Sequence, residues 1–300
     1  MAKTVKKDLV LSACVEINCC KLLVINNVSD LTLQISELKS LGKKIGFVPT
    51  MGALHIGHAS LMKRSVREND ITVVSIFVNP RQFNNPEDLA KYPRTIETDI
   101  EFVEKTGVDI VFIPEEDDVY PVNFSVPEVD LGRLEVLMEG RMRPGHFDGV
   151  VQVLTRFFQL VQPDNAYFGL KDFQQVAVVR KMVEYLHLPV NIIACPIYRE
   201  SSGLAFSSRN QRLTEAQKEE ALFIYKSLLK AKELAKKMTP VQIAEIMKQD
   251  YSDSSMELEY FEIVDPVTLE SLTDEWTPDA VACVVAYVGE VRLIDNMQLN

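Results

Sequence analysis

Two histidines stand close together where a short apolar run gives way to a helical pattern. The run covers residues 44–48, a Pro-Thr-Met-Gly-Ala-Leu segment follows, and then come His55 and His58 with Gly57 between them. On the first turn of a helix the two imidazoles would face the same way. A helix N-terminus binds anions through its free N–H groups and its dipole, and glycine lets a phosphate approach the chain. The segment therefore predicts imidazole N–H groups that hold the phosphates of ATP. The alternative is a pair of ordinary polar residues near a helix cap.

Polar side chains also follow the next apolar run. Asn79 and Gln82 come directly after residues 71–78, and open α/β sheets bind ligands at the carboxyl ends of their strands. We expect these two amides to recognise hydroxyl groups, although Asn-Pro is also a common turn pair. Farther along, Asp99 lies on a predicted helix as a candidate magnesium-side carboxylate, or else as part of a solvated helix face.

A third group of polar residues occupies residues 168–175, again where a strand passes into a helix. Lys171 could meet a phosphate or a carboxylate as a point charge, and Asp172 could cap the helix or hold a ribose hydroxyl. Gln175 would project from the first turn toward the same crevice. Capping alone explains Asp172 but not the whole group.

Two loops carry arginine side chains. Residues 139–149 hold two arginines and a histidine beside glycines, which indicates either an anion-facing loop or a mobile basic surface loop. Farther on, Ser207, Ser208 and Arg209 combine two hydroxyls with a guanidinium. Such donors suit the stabilisation of charge on a transferring phosphoryl group, and a plain Ser-rich linker is the alternative.

A regular alternation of strands and helices must position these groups. Apolar runs near residues 44–48, 71–78, 108–113, 166–168 and 190–194 predict strands, with helical patterns between them. This alternation predicts a Rossmann-like, doubly wound parallel α/β sheet over residues 25–197. Helices at 214–237 and after Pro240, with apolar runs at 258–264 and 281–288, predict a smaller α+β domain over residues 198–300. Residues 1–24 are predicted to be an N-terminal extension.

Composition narrows the class of protein. The chain has 300 residues, 25% of them charged, and a formal net charge of -11, which argues against a nucleic-acid partner because phosphate backbones are bound through clustered Lys and Arg. The five cysteines lack zinc or disulfide spacing and predict reduced thiols in a cytoplasmic protein. The apolar runs are far shorter than the roughly 20 residues of a membrane helix, so no membrane partner is expected. A secretory lipoprotein signal at the N-terminus is an alternative, although its apolar stretch is shorter than the about 7–15 apolar residues of such a signal.

Five motifs in their order resemble those of pantothenate synthetases, a family of pantoate–β-alanine ligases in the nucleotidyltransferase superfamily with an H-x-G-H motif. They are PTMGALHxGH at 49–58, SIFVNPxQF at 75–83, RPxHF at 143–147, FGxKDxQQ at 168–175 and SSRN at 207–210. The resemblance extends over residues 25–300. Five motifs in one order are much more specific than any single one of them.

The resemblance implies an ATP- and magnesium-dependent condensation of pantoate with β-alanine, through pantoyl adenylate, that releases AMP and pyrophosphate. It also implies a homodimer and a C-terminal domain that acts as a lid. The implied catalytic residues are His55, His58, Asn79 and Lys171. The implied nucleotide-binding residues are Pro49, Thr50, Met51, Gly52, His55, His58, Gly169, Lys171, Asp172, Ser207, Ser208 and Arg209. Gln82 and Gln175 would hold pantoate, and Asp99 would lie near the magnesium ion.

Three positions depart from the family pattern: Ser202, where Asp is common, Phe206, where Met is common, and Leu170, where Glu or Gln is common. None of these three side chains donates charge to a phosphate. The departures therefore affect how the nucleotide packs and how the loop closes rather than the chemistry. The rival functions are a nucleotidyltransferase that passes a nucleotide to a phosphorylated acceptor, and a nucleotide-binding regulator on the same fold. A tRNA synthetase is disfavoured by the acidic charge balance and the short C-terminal region.

Overall fold

The computed structural model describes residues 22–300, so the predicted N-terminal extension, with its alternative signal segment, lies almost entirely outside the described residues. The first domain has strands β1 (Leu23–Ile25), β2 (Ile45–Thr50), β3 (Ile71–Ile76), β4 (Ile110–Phe112), β5 (Asn165–Gly169) and β6 (Asn191–Cys195). Its helices are α1 (Val28–Ser40), α2 (Ile56–Glu68), α3 (Pro86–Lys91), α4 (Ile96–Glu104), α5 (Glu116–Val119), α6 (Met138–Met142), α7 (His146–Val161) and α8 (Phe173–Tyr185). Short 3₁₀ turns cover Pro80–Gln82, Leu170–Asp172 and Ser208–Arg212.

The six strands form one sheet in the order β1-β4-β3-β2-β5-β6, and all neighbouring pairs are parallel. From β2 the chain adds β3 and β4 on one side and later adds β5 and β6 on the other. The order of the strands therefore reverses between β2 and β5. Side chains that follow these two strands meet at the crevice where such sheets bind ligands.

Apolar side chains cover the sheet on both faces. Phe47 of β2 faces α7, where the ring of Phe157 meets it edge to face with ring centroids 5.9 Å apart. The next residue of the strand, Val48, belongs to the core on the opposite face with Met62 of α2. Burial on both faces explains why these strands are continuous apolar runs rather than alternating ones. The predicted doubly wound parallel sheet is confirmed.

The second domain packs two helices against a three-stranded antiparallel sheet, as expected for the small α+β unit. Its elements are α9 (Glu215–Leu234), α10 (Pro240–Ser252), β7 (Glu257–Val264), β8 (Val281–Val288) and β9 (Val291–Gln298). Leu228, Met247 and Phe261 are fully buried in its own core. No helix within residues 22–300 has the length and apolar character that crossing a membrane requires.

A buried ion-pair network joins the two domains. Arg292 of β9 donates to both carboxylate oxygens of Glu139 in α6, with distances of 2.8 and 2.7 Å, and also pairs with Glu259 of β7. The hydroxyl of Tyr260 donates to Glu139 at 2.9 Å. These charge-assisted bonds hold the pKa of Glu139 at about 2, against the opposing effect of burial, so the pair stays ionised. The second-domain sheet is thus fixed to the segment that precedes Arg143.

Candidate active site

A cavity of about 240 Å³ opens at the carboxyl ends of the central strands, between the first domain and the loop that enters the second. It collects polar residues from five separated segments of the chain. All the predicted site residues except Gly52 and Asp99 line it, namely Pro49, Thr50, Met51, His55, His58, Asn79, Gln82, Gly169, Lys171, Asp172, Gln175, Ser207, Ser208 and Arg209.

The two histidines form the N-terminal cap of α2. The His55 ring accepts the N–H of Gly57 on Nδ1 at 3.1 Å, and the His58 ring accepts the N–H of His55 on Nδ1 at 3.2 Å. The ring centroids lie 4.0 Å apart. Because Nδ1 is the acceptor in both rings, each neutral imidazole carries its proton on Nε2. The capping alternative and the phosphate-donor hypothesis are therefore compatible, since each ring caps with one nitrogen and can donate with the other.

Burial and a neighbouring positive charge keep these imidazoles uncharged. Desolvation, followed by the Lys171 ammonium, lowers the pKa of His55 to about 4. Burial, the adjacent His55 ring and Lys171 hold the pKa of His58 well below its usual range. Both histidines consequently act near neutral pH as N–H donors rather than as cations.

Gly57 has a different structural reason from the one the sequence suggested. A Cβ atom at this position would lie 2.9 Å from two atoms of the His55 ring. Glycine is therefore needed at position 57, because a side chain there would displace the capping imidazole from the first turn of the helix. The benefit to a phosphate is indirect, because the glycine fixes the orientation of the ring that would bind it.

Asp99 lies beneath the histidine loop, outside the cavity, with 2% of its surface exposed. Its carboxylate accepts the N–H groups of Ala53 at 2.9 Å and Leu54 at 2.7 Å. These N–H groups converge because Gly52 and Ala53 both have positive φ angles, 79° and 48°. On the other side of the loop, the Ser208 hydroxyl donates to the carbonyl of Ala53 at 3.0 Å. The loop before His55 is thus held from both domains.

Asn79 is buried at the bottom of the cavity, and its amide is fully engaged. Nδ2 donates to Oε1 of Gln82 at 3.1 Å and to the carbonyl of Gly149 at 3.0 Å. Oδ1 accepts the Tyr120 hydroxyl at 2.7 Å and the N–H of Arg81 at 3.2 Å. The residue therefore orients Gln82, whose Nε2 faces Met51 at 2.9 Å from the sulfur.

The arginine-bearing segment 139–149 does face the cavity, through Arg143 and His146. Nδ1 of His146 lies 2.7 Å from the carbonyl of Gln82, and Nε2 lies 3.2 Å from a guanidinium nitrogen of Arg143. The ring therefore donates to the carbonyl and accepts from the guanidinium. Burial, followed by Arg143, lowers the pKa of His146 to about 4. The segment therefore lines the cavity through these two side chains, and whether they face an anion there stays a prediction.

The cationic groups of the cavity come from different elements. Lys171 stands on the 3₁₀ turn after β5, with Nζ 3.7 Å from a carboxylate oxygen of Asp172. Arg209 comes from the turn that enters the second domain and pairs with Asp88 at 3.0 Å. Together with Arg143 they place three cationic side chains in the lining of the cavity that also contains His55 and His58. Such a surface favours a polyanionic ligand.

Apolar residues complete the walls, and no sequence pattern identifies most of them as site residues. Phe206, one of the three departures from the family pattern, stacks on the His55 ring with centroids 6.0 Å apart. The lining residues that had not been predicted include Leu61, Phe77, Phe83, Tyr92, Val150, Val153, Leu154, Phe157, Tyr167, Phe168, Pro196, Ile197, Tyr198 and Phe206. Their types are those of any core residue, so only the fold identifies them.

Within residues 22–300, no three His, Cys, Asp or Glu side chains gather into a metal site. Asp99, the predicted magnesium-side carboxylate, uses both oxygens on backbone N–H groups. A magnesium ion that arrives with a nucleotide needs no such cage, since it is held mainly by phosphates and water.

Comparison with known proteins shows which family this chain resembles. The family model described as pantoate-beta-alanine ligase matches residues 23–298. A pantothenate synthetase from Bacteroides thetaiotaomicron is 47% identical over 278 residues, which cover 92% of this chain and 98% of the relative. One from Porphyromonas gingivalis is 46% identical over 278 residues, with the same coverage of both chains.

Two solved structures are similar over nearly the whole fold. A pantothenate synthetase from Thermus thermophilus superposes with a TM-score of 0.86 at 39% identity, covering 92% of this chain and 99% of that one. A pantoate-beta-alanine ligase from Francisella tularensis, complexed with β-γ ATP and β-alanine, superposes with a TM-score of 0.77 at 35% identity. It covers 93% of this chain and 98% of that one.

Proposed function

Because this chain belongs to the pantoate–β-alanine ligase family, we propose that it joins pantoate to β-alanine through pantoyl adenylate and releases AMP and pyrophosphate. The use of ATP to form pantothenate from these two substrates is the activity of the family. The observation that carries the finer mechanism is that two neutral imidazole donors of a helix N-terminus and three cationic side chains line one cavity. This arrangement matches the charge of a nucleoside triphosphate and of the transition state that it forms.

The phosphate-binding part of the proposal rests on α2. The Nε2–H groups of His55 and His58, with the free N–H groups of the helix, would donate to the phosphates. Lys171 and Arg209 would neutralise the charge that builds up as the bond between the α- and β-phosphates breaks. Since the donors are already oriented by capping bonds, they need little reorganisation during the reaction.

The proposed chemistry has two displacements. A carboxylate oxygen of pantoate attacks the α-phosphorus, an O–P bond forms, and pyrophosphate leaves with the electrons of the broken P–O bond. The free amine of β-alanine then attacks the acyl carbon, a C–N bond forms, the C–O bond to the phosphate breaks, and AMP leaves with the electrons of that bond while the nitrogen loses a proton. We assign Gln82 and Gln175 to pantoate, and Asp172 with Gly169 to the ribose. The remaining predicted residues, Pro49, Thr50, Met51, Ser207 and Ser208, would contact the nucleotide, with Gly52 shaping its loop.

Asn79 and Asp99 take supporting roles in this proposal. Asn79 has no free hydrogen-bonding group, so it would act by orienting Gln82 toward pantoate. Asp99 would hold the histidine loop in place, and magnesium would enter as the ATP complex. A homodimer, a cytoplasmic location and closure of residues 198–300 as a lid over the site stay predictions.

Exchange of labelled pyrophosphate into ATP tests the proposed mechanism. An enzyme that forms pantoyl adenylate must run that step backwards, so exchange should require pantoate and magnesium but not β-alanine. Addition of β-alanine should convert the pantoyl adenylate to AMP and pantothenate, so that less of it returns to ATP. The Lys171→Ala variant, shown to be folded and to bind ATP, is the matched control and should exchange far more slowly.

Other outcomes would point to other functions. A nucleotidyltransferase would exchange pyrophosphate only in the presence of its own phosphorylated acceptor and would form no amide. A nucleotide-binding regulator would show no exchange with any acid. Absence of pantoate-dependent exchange in folded, ATP-binding protein would overturn the proposal.

A further inference from the structure

Asn296 on β9 contacts the backbone of the turn that carries Lys171. Its Nδ2 donates to the carbonyl of Leu170 at 2.8 Å and to the carbonyl of Lys171 at 3.1 Å. The side chain is buried, with 7% of its surface exposed. A residue of the second domain thus holds the peptide units on both sides of the Lys171 Cα, without reaching the lysine side chain.

Asn296 is itself fixed by neighbouring charges. The guanidinium of Arg199 binds the Asp295 carboxylate through two bonds of 2.6 and 2.9 Å and donates to the carbonyl of Asn296 at 3.1 Å. Asp295 also accepts the N–H of Asn296 at 2.8 Å. Bidentate pairs of this kind are rigid. The amide of Asn296 is consequently presented to the Lys171 turn in one orientation.

The packing behind the Lys171 turn leaves a gap. A second cavity of about 50 Å³ lies behind it, between the turn and the second-domain sheet. The cavity is lined on one side by Lys171, Asp172 and Gln175 and on the other by Arg292 and Asn296. Space for a few water molecules gives little resistance to movement of the backbone. Among the described residues, the two bonds from Asn296 are the only hydrogen bonds between the turn and β9.

We propose that Asn296 is a positioning residue that holds the Lys171 ammonium at the reacting centre from the second domain. This inference rests on the role of Lys171 in the proposed function. A displacement of about 1 Å of a catalytic group can cost about two orders of magnitude in rate. Asn296 thereby makes the second domain part of the catalytic apparatus.

The test replaces Asn296 by Asp, which keeps the size of the side chain but replaces the Nδ2 donor with an acceptor facing two carbonyl oxygens. Single-turnover formation of the adenylate should slow by about 10- to 100-fold, while the dissociation constant for ATP should change by no more than about twofold, because Lys171 acts mainly in the transition state. If Asn296→Asp does not fold, Asn296→Ala serves in its place, since truncation buries no new charge.

A double-mutant cycle separates positioning from general support of the fold. In the Lys171→Ala background, Asn296→Asp should cost little more, because the group it positions is gone. The matched control is Asn300→Asp, which makes the same chemical change at a residue whose Nδ2 donates to the carbonyl of Thr277 at 3.0 Å. That variant should react like the wild type.

Two results would overturn the inference. One is a wild-type rate for Asn296→Asp and Asn296→Ala while Lys171→Ala is impaired. The other is full additivity of the two substitutions. A wild-type rate for Lys171→Ala would instead remove the proposed role of the lysine itself, so the two failures can be told apart.

Discussion

At the scale of single residues, the two imidazoles of the site divide their nitrogen atoms between structure and ligand. Nδ1 of His55 and of His58 completes the cap of α2, and Nε2–H is left for a phosphate. Alanine substitution removes both functions together. A substitution that keeps the capping acceptor is needed to separate them.

Glutamine at position 58 provides that separation, because Gln at the third helical position can accept the N–H of the capping residue. We expect His58→Gln to keep the thermal midpoint of the wild type but to lose about 10²–10³ in kcat, the effect of one preorganised donor. His58→Ala, measured in parallel, should show the same loss of kcat and a further loss of stability of about 1 kcal/mol from the cap. Near-normal turnover of the glutamine variant would make the ring a cap and nothing more.

The sequence predicted which residues gather at the site better than it predicted what their atoms do. His55, Gln82, Lys171 and Arg209 line one cavity as expected. The observed contacts of Gly57 and Asp99 differ from the predicted ones. They depend on residues distant in the chain or on the orientation of the His55 ring. Asp99 reaches a loop 45 residues away, a contact that no spacing rule contains.

At the scale of elements, α6 connects the active site to the second-domain sheet through two ion pairs of different burial. Glu139 and Arg292 form a buried bidentate pair, whereas Arg141 pairs with Glu262 while half of its side chain is exposed. Both pairs join the same helix to the same sheet. The two pairs therefore allow the contribution of a buried ion pair to the free energy of unfolding to be compared with that of an exposed one.

Removal of Glu139 should be much more damaging than removal of Arg141. Glu139→Ala leaves a buried guanidinium with one carboxylate fewer, and we expect the free energy of unfolding to fall by about 3–5 kcal/mol. Arg141→Ala should cost less than about 1 kcal/mol, because water screens the exposed pair. Denaturant unfolding of both variants measures the difference. Equal losses would show that the buried network does not fix the docking of α6.

Most elements were predicted near their observed residues, and those that were missed are short or have a mixed pattern of polar and apolar residues. β8 is a continuous apolar run and β3 is buried throughout, and both appear near the expected residues. β9 alternates polar and apolar residues because one face of the antiparallel sheet is less covered, and β1 has only three residues. The first α-helix was missed as well, since its apolar residues are diluted by polar ones.

At the scale of the whole molecule, neutral buried histidines make stability depend on pH. His55 and His146 have pKa values lowered to about 4, whereas an unfolded chain would protonate both near 6.5. Below 6.5 the unfolded state therefore binds protons that the folded state does not, and stability decreases as the pH falls toward 4. Each unit of pKa depression corresponds to about 1.4 kcal/mol.

We expect the thermal midpoint to fall steadily between pH 6.5 and pH 4.5, and calorimetry over that range measures it. Glu139 contributes little to the change in this range, because its stabilisation is lost only as the pH falls from the unfolded-state pKa of 4.5 toward the folded-state pKa of about 2. His146→Gln should flatten part of the slope. A midpoint independent of pH in this window would mean that the imidazoles are protonated in the folded state.

The tautomers of the cavity histidines also constrain how a proton can leave the reaction. In His55 and His58 one ring nitrogen accepts a backbone N–H and the other carries hydrogen, while His146 has both nitrogens engaged with Gln82 and Arg143. No lone pair remains on these rings for an incoming ammonium group. A β-alanine ammonium group therefore cannot pass its proton to any of these three imidazoles, and the free amine that attacks is a minor form near neutrality. The three histidines would then bind and orient the reactants without acting as the proton shuttle of the amide-forming step.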